Sequence, residues 1–370
     1  MPTVIAGDRL LTPKGLVDGG WVEIDGERVV GRGPGSPPSA EVQKVRGIVS
    51  PGFVDVHTHG GGGTNFGEGP DAATVVLATH LAHGTTTMIA SLVTGKLDHL
   101  EATVRALTPM VAAGDLAGIH LEGPWLAREY KGAHTESLLV DPVLADVQRL
   151  VQAGPVRMVT MAPERPGALE AIAWMASRGV IVAVGHTAAD DACARQAIAA
   201  GATGATHLFN AMPEILHRAP GPVLALWQTP HVWVELVCDG AHVAADLVAH
   251  VMTTKPKRCV FVTDAMAATG VGDGQYSLGG LDVTVKGGVA HLTGTNTIAG
   301  STLTLDRAVQ VAVAAGVPTE LALLAATAHP ADYLGLSQVG RLDAGRFADL
   351  VVLDDDLQVT KVMRHGRWVG

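Results

Sequence analysis

The residues best equipped for chemistry in this chain are histidines and a few carboxylates, and most of them stand where an apolar run stops. His57-Thr58-His59 closes the run GFVDV. Residues two apart on an extended chain point to one face, so both imidazoles can reach a single metal ion. A bare His-x-His also fits an exposed loop. The glycines at 60–63 favour ligation, because they let backbone and ligand approach closely. Glu122 ends GIHLEGP, where Gly123-Pro124 breaks the strand and leaves the carboxylate at a rim. There it could bind one metal, bridge two, or make a salt bridge. His120, two residues earlier, reads as a structural hydrogen-bonding group. His186 ends VIVAVGH and His207 ends GATGATH. Alone, each reads as a hydrogen-bonded core histidine. With Glu122 they form a His/His/Glu set of the kind that holds catalytic zinc and leaves a position open for water. Bound water then has its pKa lowered to about 7. Asp264, in CVFVTDA, could take a proton from that water and pass it to a leaving group, or could cap the segment that follows. Glu164 and Asp239 also lie at the ends of apolar runs.

Something must bring these ends together. Strand-like apolar runs occur at 52–57, 86–92, 117–122, 156–162, 180–185, 205–209, 232–238 and 259–263. Helix-like stretches lie between them, among them 72–83, 97–113, 168–178, 191–200 and 244–252. Gly84, Gly114, Gly179 and Gly201 mark helix ends, and Asp190 or Asp191 is a plausible N-cap. Continuously apolar strands suit a parallel sheet buried on both faces. Eight such units over about 280 residues match the count and length of a (β/α)8 barrel, whose active site lies at the C-terminal strand ends. An open doubly wound sheet is the competing architecture. Before residue 50 the pattern changes to short strands at 3–6, 20–24 and 28–31, with a tight turn at Asp25-Gly26 and a loop at 31–38. The pattern returns at 349–353, 359–364 and 367–369, with a turn at His365-Gly366. The expected fold is therefore α/β: a (β/α)8 TIM barrel over 51–338, with a small β-sandwich domain built from both termini, 1–50 plus 339–370.

Composition narrows the function. Hydrophobic residues make up 47% and charged residues 17%, which describes a folded, core-rich chain. The net charge of −10 argues against nucleic acid or an anionic membrane as a partner, though not against a small cationic pocket. Cys193, Cys238 and Cys259 are odd in number and far apart, so a reducing, cytoplasmic setting is expected. The opening MPTVIAGDRLL lacks a basic start and carries Asp8, and no uncharged apolar stretch approaches 18 residues. Neither a signal peptide nor a membrane span is expected.

PGFVDVHTHG, the lone histidines closing strands five and six and the aspartate closing strand eight together resemble the amidohydrolase superfamily. The finer motifs GIHLEGPWLAREYKGAH, THLFNAMP, DGAHV, VTDA and AGSTLTLD resemble its N-acetylglucosamine-6-phosphate deacetylase family. The likeness spans essentially the whole chain, including the GRLDAGRFADLVVLD ending. It implies a metal-dependent hydrolysis of the acetamide of N-acetyl-D-glucosamine 6-phosphate, releasing acetate, in amino-sugar breakdown. Glu122, His186 and His207 match the family's metal ligands and Asp264 its acid/base. His134 matches the histidine that polarises the acetamide carbonyl. Ala133, Asn210, Ala211, Ile298, Ala299 and Gly300 match sugar contacts. Arg218 and His242 match the pair that grips the phosphate, one of them supplied across a homodimer interface. Because the chain keeps His57 and His59, a second metal bridged by Glu122 is expected. Other branches of the superfamily bridge two metals with a carboxylated lysine on strand four, and VRMVTMAPE has none. The cofactor implied is one or two divalent ions per subunit, zinc foremost, with iron, cobalt or manganese also suited to imidazole and carboxylate. The rivals are an amidohydrolase acting on another N-acyl or cyclic amide, and a non-catalytic barrel. The retained ligand set speaks against the second.

Overall fold

A computed structural model describes residues 2–37 and 42–369. Its centre is a curled parallel sheet with mixed α/β connections. Seven strands follow one another in chain order: Ala90–Val93, Ile119–Glu122, Val156–Met161, Ile181–Val184, Gly204–Ala205, Trp233–Leu236 and Cys259–Phe261. Every neighbouring pair is parallel. Ahead of them Phe53–Asp55 pairs in parallel with Thr85–Met88, which runs on through Ile89 into Ala90–Val93. At the far side the Asp264 N–H donates to His57 O at 2.8 Å, so the last strand end meets the first. These strands are buried almost throughout, as continuous apolar runs require.

Helices at Leu97–Ala113 and Asp191–Ala200 have the bounds expected from sequence. Asp190 caps the latter by accepting the Cys193 N–H, and Gly84, Gly114, Gly179 and Gly201 all take positive φ. Strand six is shorter than expected. The apolar run spans 205–209, but only Gly204–Ala205 is extended, because His207 and Phe209 adopt left-handed backbone.

The terminal segments share one eight-stranded sheet. It includes Thr3–Thr12, Gly15–Asp25, Arg28–Pro34, Val42–Lys44 and Ile48–Pro51 from one end of the chain. Leu350–Leu353, Val359–Arg364 and Arg367–Trp368 join it from the other, Leu350–Leu353 pairing antiparallel with Ile48–Pro51. Its apolar cluster, with Ile5, Leu10, Val22, Leu342 and Leu350, is distinct from that of the central sheet. The loop expected at 31–38 is partly strand. Residues 31–34 extend the ladder against the long second strand, and Pro38 lies outside the described residues.

Two features go beyond the strand and helix pattern of the sequence. A three-stranded antiparallel sheet (Gly274–Leu278, Leu281–Lys286 and Val289–Leu292) is inserted after strand eight. Helices Leu305–Ala314, Thr319–Ala326 and Ala328–Tyr333 then lead back toward the terminal sheet. No described helix is long and apolar enough to cross a membrane.

Candidate active site

The strand ends converge. Glu122, 2% exposed, occupies the centre. Its Oε1 lies 3.3 Å from His186 Nε2 and 3.2 Å from His207 Nε2, while its Oε2 lies 3.1 Å from His59 Nε2. Asp264 Oδ1 is 3.1 Å from His59 Nε2 and 3.5 Å from His57 Nε2. The donor atoms thus fall into two triads, Glu122/His186/His207 and His57/His59/Asp264. Glu122 touches both. The second triad places Asp264 among potential ligands, beyond the acid/base role expected from sequence.

Backbone conformation aims three of these groups. His186, His207 and Asp264 have φ of 48°, 28° and 49°. Left-handed backbone is costly for a residue with a Cβ, by about 1–3 kcal/mol, and such residues cluster at functional sites. Here the turn comes directly after an extended run and leaves each side chain at the mouth of the sheet.

The hydrogen bonds on the far side of each ring decide which nitrogen is free. His186 Nδ1–H donates to Tyr130 O at 2.9 Å, His59 Nδ1–H to Ser91 O at 3.2 Å, and His57 Nδ1–H to Glu235 Oε2 at 3.1 Å. A carbonyl or carboxylate can only accept, so these three Nε2 atoms present lone pairs inward. His57 and His59 Nε2 face each other at 3.1 Å, and His186 and His207 Nε2 at 3.0 Å. Lone pairs as close as those of His57 and His59 call for a proton or a metal cation between them, and the residues present therefore fit a bound metal. The same demand shows in the proton affinities. Burial opposes the charged form of His59, but Asp264 and Glu122 outweigh it and raise its pKa to about 9. His57 moves up against burial for the same reason, through Glu122, Glu235 and Asp264. Burial would raise Glu122 and Asp264, yet the imidazoles hold both well below the usual carboxylate range.

His134 differs. Its Nδ1 accepts from the Thr94 N–H at 3.4 Å and lies 2.8 Å from Thr94 Oγ1. Its proton is therefore on Nε2, which points into the site 3.4 Å from Glu122 Oε2. Burial lowers its pKa to about 4, so at neutral pH it is an uncharged donor.

These groups open into a cavity of about 490 Å³, an ordinary size for a small-molecule site. Ala133, His134, Asn210, Ala211, His242, Asp264, Ile298 and Gly300 line it. Ala299 does not. It is fully buried and packs with Ala133 and Met266 beneath the inserted sheet. His242 Nδ1–H donates to Asp239 Oδ2 at 2.7 Å, and this bond raises the His242 pKa against burial. Arg218 does not line this cavity. The expectation that both converge on one anion is not met within a single chain, because Arg218 is exposed on the loop after strand six. It borders a separate cavity that touches the first at Tyr130.

His120 has the structural role expected, with ring nitrogens 2.9 Å from Ser91 Oγ and 2.8 Å from Thr160 Oγ1. Glu164 holds the turn after His186 by accepting from Thr187 Oγ1 and the Ala188 N–H. Sequence reasoning missed Thr94 and Glu235. Thr94 carries no signal in a lone sequence. Glu235 did, as the single charge inside its own apolar run, 232–238.

A family model described as the amidohydrolase family matches residues 48–369. The chain belongs to the amidohydrolase family. Among its relatives, the Bos taurus N-acetylglucosamine-6-phosphate deacetylase is 38% identical over 346 residues, covering 87% of this chain and 83% of the relative. The Escherichia coli O157:H7 N-acetylgalactosamine-6-phosphate deacetylase is 33% identical, with 99% of both chains covered. Among solved structures, this amidohydrolase superposes on a Mycobacterium smegmatis N-acetyl-D-glucosamine-6-phosphate deacetylase with a TM-score of 0.97. The identity is 48% and 99% of each chain is covered. That protein is a mutant in complex with N-acetyl-D-glucosamine-6-phosphate.

Proposed function

We propose that this amidohydrolase converts N-acetyl-D-glucosamine 6-phosphate and water to D-glucosamine 6-phosphate and acetate, in amino-sugar breakdown or cell-wall recycling. The observation that carries the reading is the pairing of inward imidazole lone pairs around Glu122 with the opposite tautomer at His134. One arrangement suits a cation and the other a carbonyl oxygen. The relatives' named substrates supply the sugar and the phosphate.

Glu122, His186 and His207 would hold a divalent cation, zinc foremost, which would supply Lewis acidity and activate water at neutral pH. Asp264, ionised and facing the same centre, takes the proton of the attacking water and delivers it to the departing amine. His134 Nε2–H donates to the acetamide oxygen as negative charge develops there. Ala133, Asn210, Ala211, Ile298 and Gly300 line the sugar's place, and Ala299 supports that wall from behind. We assign a second cation to His57, His59 and Asp264, which would hold it beside Glu122. Glu122 lies 3.1 Å from His59 Nε2 and 3.4 Å from His57 Nε2 as well as against His186 and His207, and this contact with both triads supports it. A His57→Ala/His59→Ala double variant is expected to lose about half the bound metal per chain, and unchanged metal content would remove the second ion.

The phosphate falls to His242 with Arg218. Since Arg218 stands outside the His242 cavity of its own chain, we assign it to the cavity of a homodimer partner. An arginine–phosphate bond is charge-assisted, worth about 1.5–3 kcal/mol, so Arg218→Ala is expected to lower kcat/KM roughly ten- to a hundredfold. The loss is confined to the phosphorylated substrate. An equal fractional loss on unphosphorylated N-acetylglucosamine would show that Arg218 does not read the phosphate.

We read the central sheet as a closed (β/α)8 barrel over 51–338, and 1–50 plus 339–370 as a small β-sandwich domain. The His57–Asp264 backbone bond and the separate terminal apolar cluster support this division. Three unpaired cysteines support a cytoplasmic setting. Metal analysis of protein purified without added metal, with acetate release measured on phosphorylated and unphosphorylated N-acetylglucosamine, tests the function. Cation-dependent release from the phosphorylated sugar is the expected result. No release by the metal-loaded chain, or equal release from both sugars, would overturn it.

A further inference from the structure

We propose that Glu235 is the positioning residue that ties the two triads into one metal centre, held in turn by Tyr333. The inference rests on the metal-centre reading above. Glu235 sits in the middle of strand seven, with no exposed surface, inside the apolar run WVELV. A buried carboxylate costs several kcal/mol unless it is paired and hydrogen-bonded. Among the described residues its ion-pair partner is His57 alone, with no lysine or arginine beside it. An apolar side chain would fill the same space at lower cost, so packing does not explain the charge.

Its hydrogen bonds do. Oε2 accepts from His57 Nδ1–H at 3.1 Å and from the His207 N–H at 3.4 Å. His57 belongs to one triad and His207 to the other, and their rings stack with centroids 5.7 Å apart. One oxygen thus fixes the His57 tautomer, so that Nε2 keeps its lone pair, and pins the backbone of His207 in its left-handed turn. Groups that orient metal-bound histidines in this way typically govern metal affinity by 10–100-fold.

The second oxygen is held separately. Oε1 accepts from Tyr333 Oη–H at 3.3 Å, at the end of the helix Ala328–Tyr333. Strand six makes room for that phenol. A Cβ on Gly204 would lie 1.9 Å from Tyr333 Oη, so any other residue there would push the hydroxyl away. A glycine in a buried two-residue strand, opposite the hydroxyl that reaches Glu235, is an independent sign that this contact is built into the barrel. The chain of contact runs from the third helix after the inserted sheet, through strand seven, to both halves of the centre.

The test is cation affinity, measured by competition with a chromophoric chelator, on wild type, Glu235→Gln and Tyr333→Phe. Gln keeps the shape but offers an amide in place of an obligate acceptor. Glu235→Gln is expected to bind zinc about 10–100-fold more weakly. Its cobalt-loaded form should show an altered d–d spectrum, and its metal-free Tm should stay near wild type. Tyr333→Phe should shift affinity the same way by less, and it decides the matter if Glu235→Gln fails to fold. Wild-type affinity and an unaltered cobalt spectrum in the folded variants would overturn the proposal, as would a fall in metal-free Tm with affinity unchanged. A wild-type chain that binds no divalent cation would instead overturn the metal-centre reading, and this one with it.

Discussion

Asp264→Asn is expected to lower turnover by roughly 10²–10⁴-fold, the span typical of general acid–base groups. The upper part of that span applies, because in the proposed reaction Asp264 handles the proton twice. The imidazoles of His57 and His59 hold its carboxyl below the usual range despite burial, so the base form is present throughout neutral pH. Asn keeps the shape and an oxygen toward His59, but cannot carry a proton. Because Asp264 also belongs to the triad with His57 and His59, turnover should be compared at saturating metal. That separates a missing proton carrier from a missing ligand. Turnover within about tenfold of wild type, short of the general acid–base range, would remove Asp264 from proton transfer.

His134→Ala should lower kcat by roughly 10²–10³-fold, the usual cost of removing one donor to a developing oxyanion. The argument is the tautomer. Thr94 gives a backbone N–H to Nδ1, which leaves the proton on Nε2, and burial keeps the ring uncharged. Such a donor strengthens its bond as the acetamide oxygen gains charge, so the loss should fall on kcat more than on KM. His134→Gln offers an amide N–H and should recover part of the rate. If His134→Ala raises KM and leaves kcat intact, His134 binds the ground state and does not act on the carbonyl.

Much of the centre is legible in the sequence because it lies at the ends of apolar runs. His57, His59, Glu122, His186, His207 and Asp264 each interrupt such a run, and parallel strands buried on both faces carry all of those interruptions to one rim. Helix bounds are legible where glycine or aspartate fixes the cap, as at Gly114 and Asp190. What stays hidden follows from three causes. The left-handed backbone at His186, His207 and Asp264 leaves no compositional trace, since these are not glycines. The tautomers depend on partners such as Tyr130, Ser91 and Thr94, which touch the rings only in the folded chain. Arg218 and His242 are close in motif but border different cavities, because loop direction is not encoded in spacing. The inserted sheet did leave a signal. Alternating residues around Gly279-Gly280 and Gly287-Gly288 mark two hairpin turns.

The terminal sheet has a consequence for synthesis on the ribosome. Ile48–Pro51 pairs on one side with Leu350–Leu353, a strand made about 300 residues later, or roughly 15–60 s at 5–20 residues per second. During that interval IVSP presents an open edge just before the strand that leads to His57, and open edges invite pairing with other chains. The nascent protein therefore carries an open strand edge beside its candidate metal-binding groups until Leu350–Leu353 has been made. The late arrival of that strand makes protection of the nascent edge, as by chaperone capture, a determinant of yield separate from the stability of the finished enzyme.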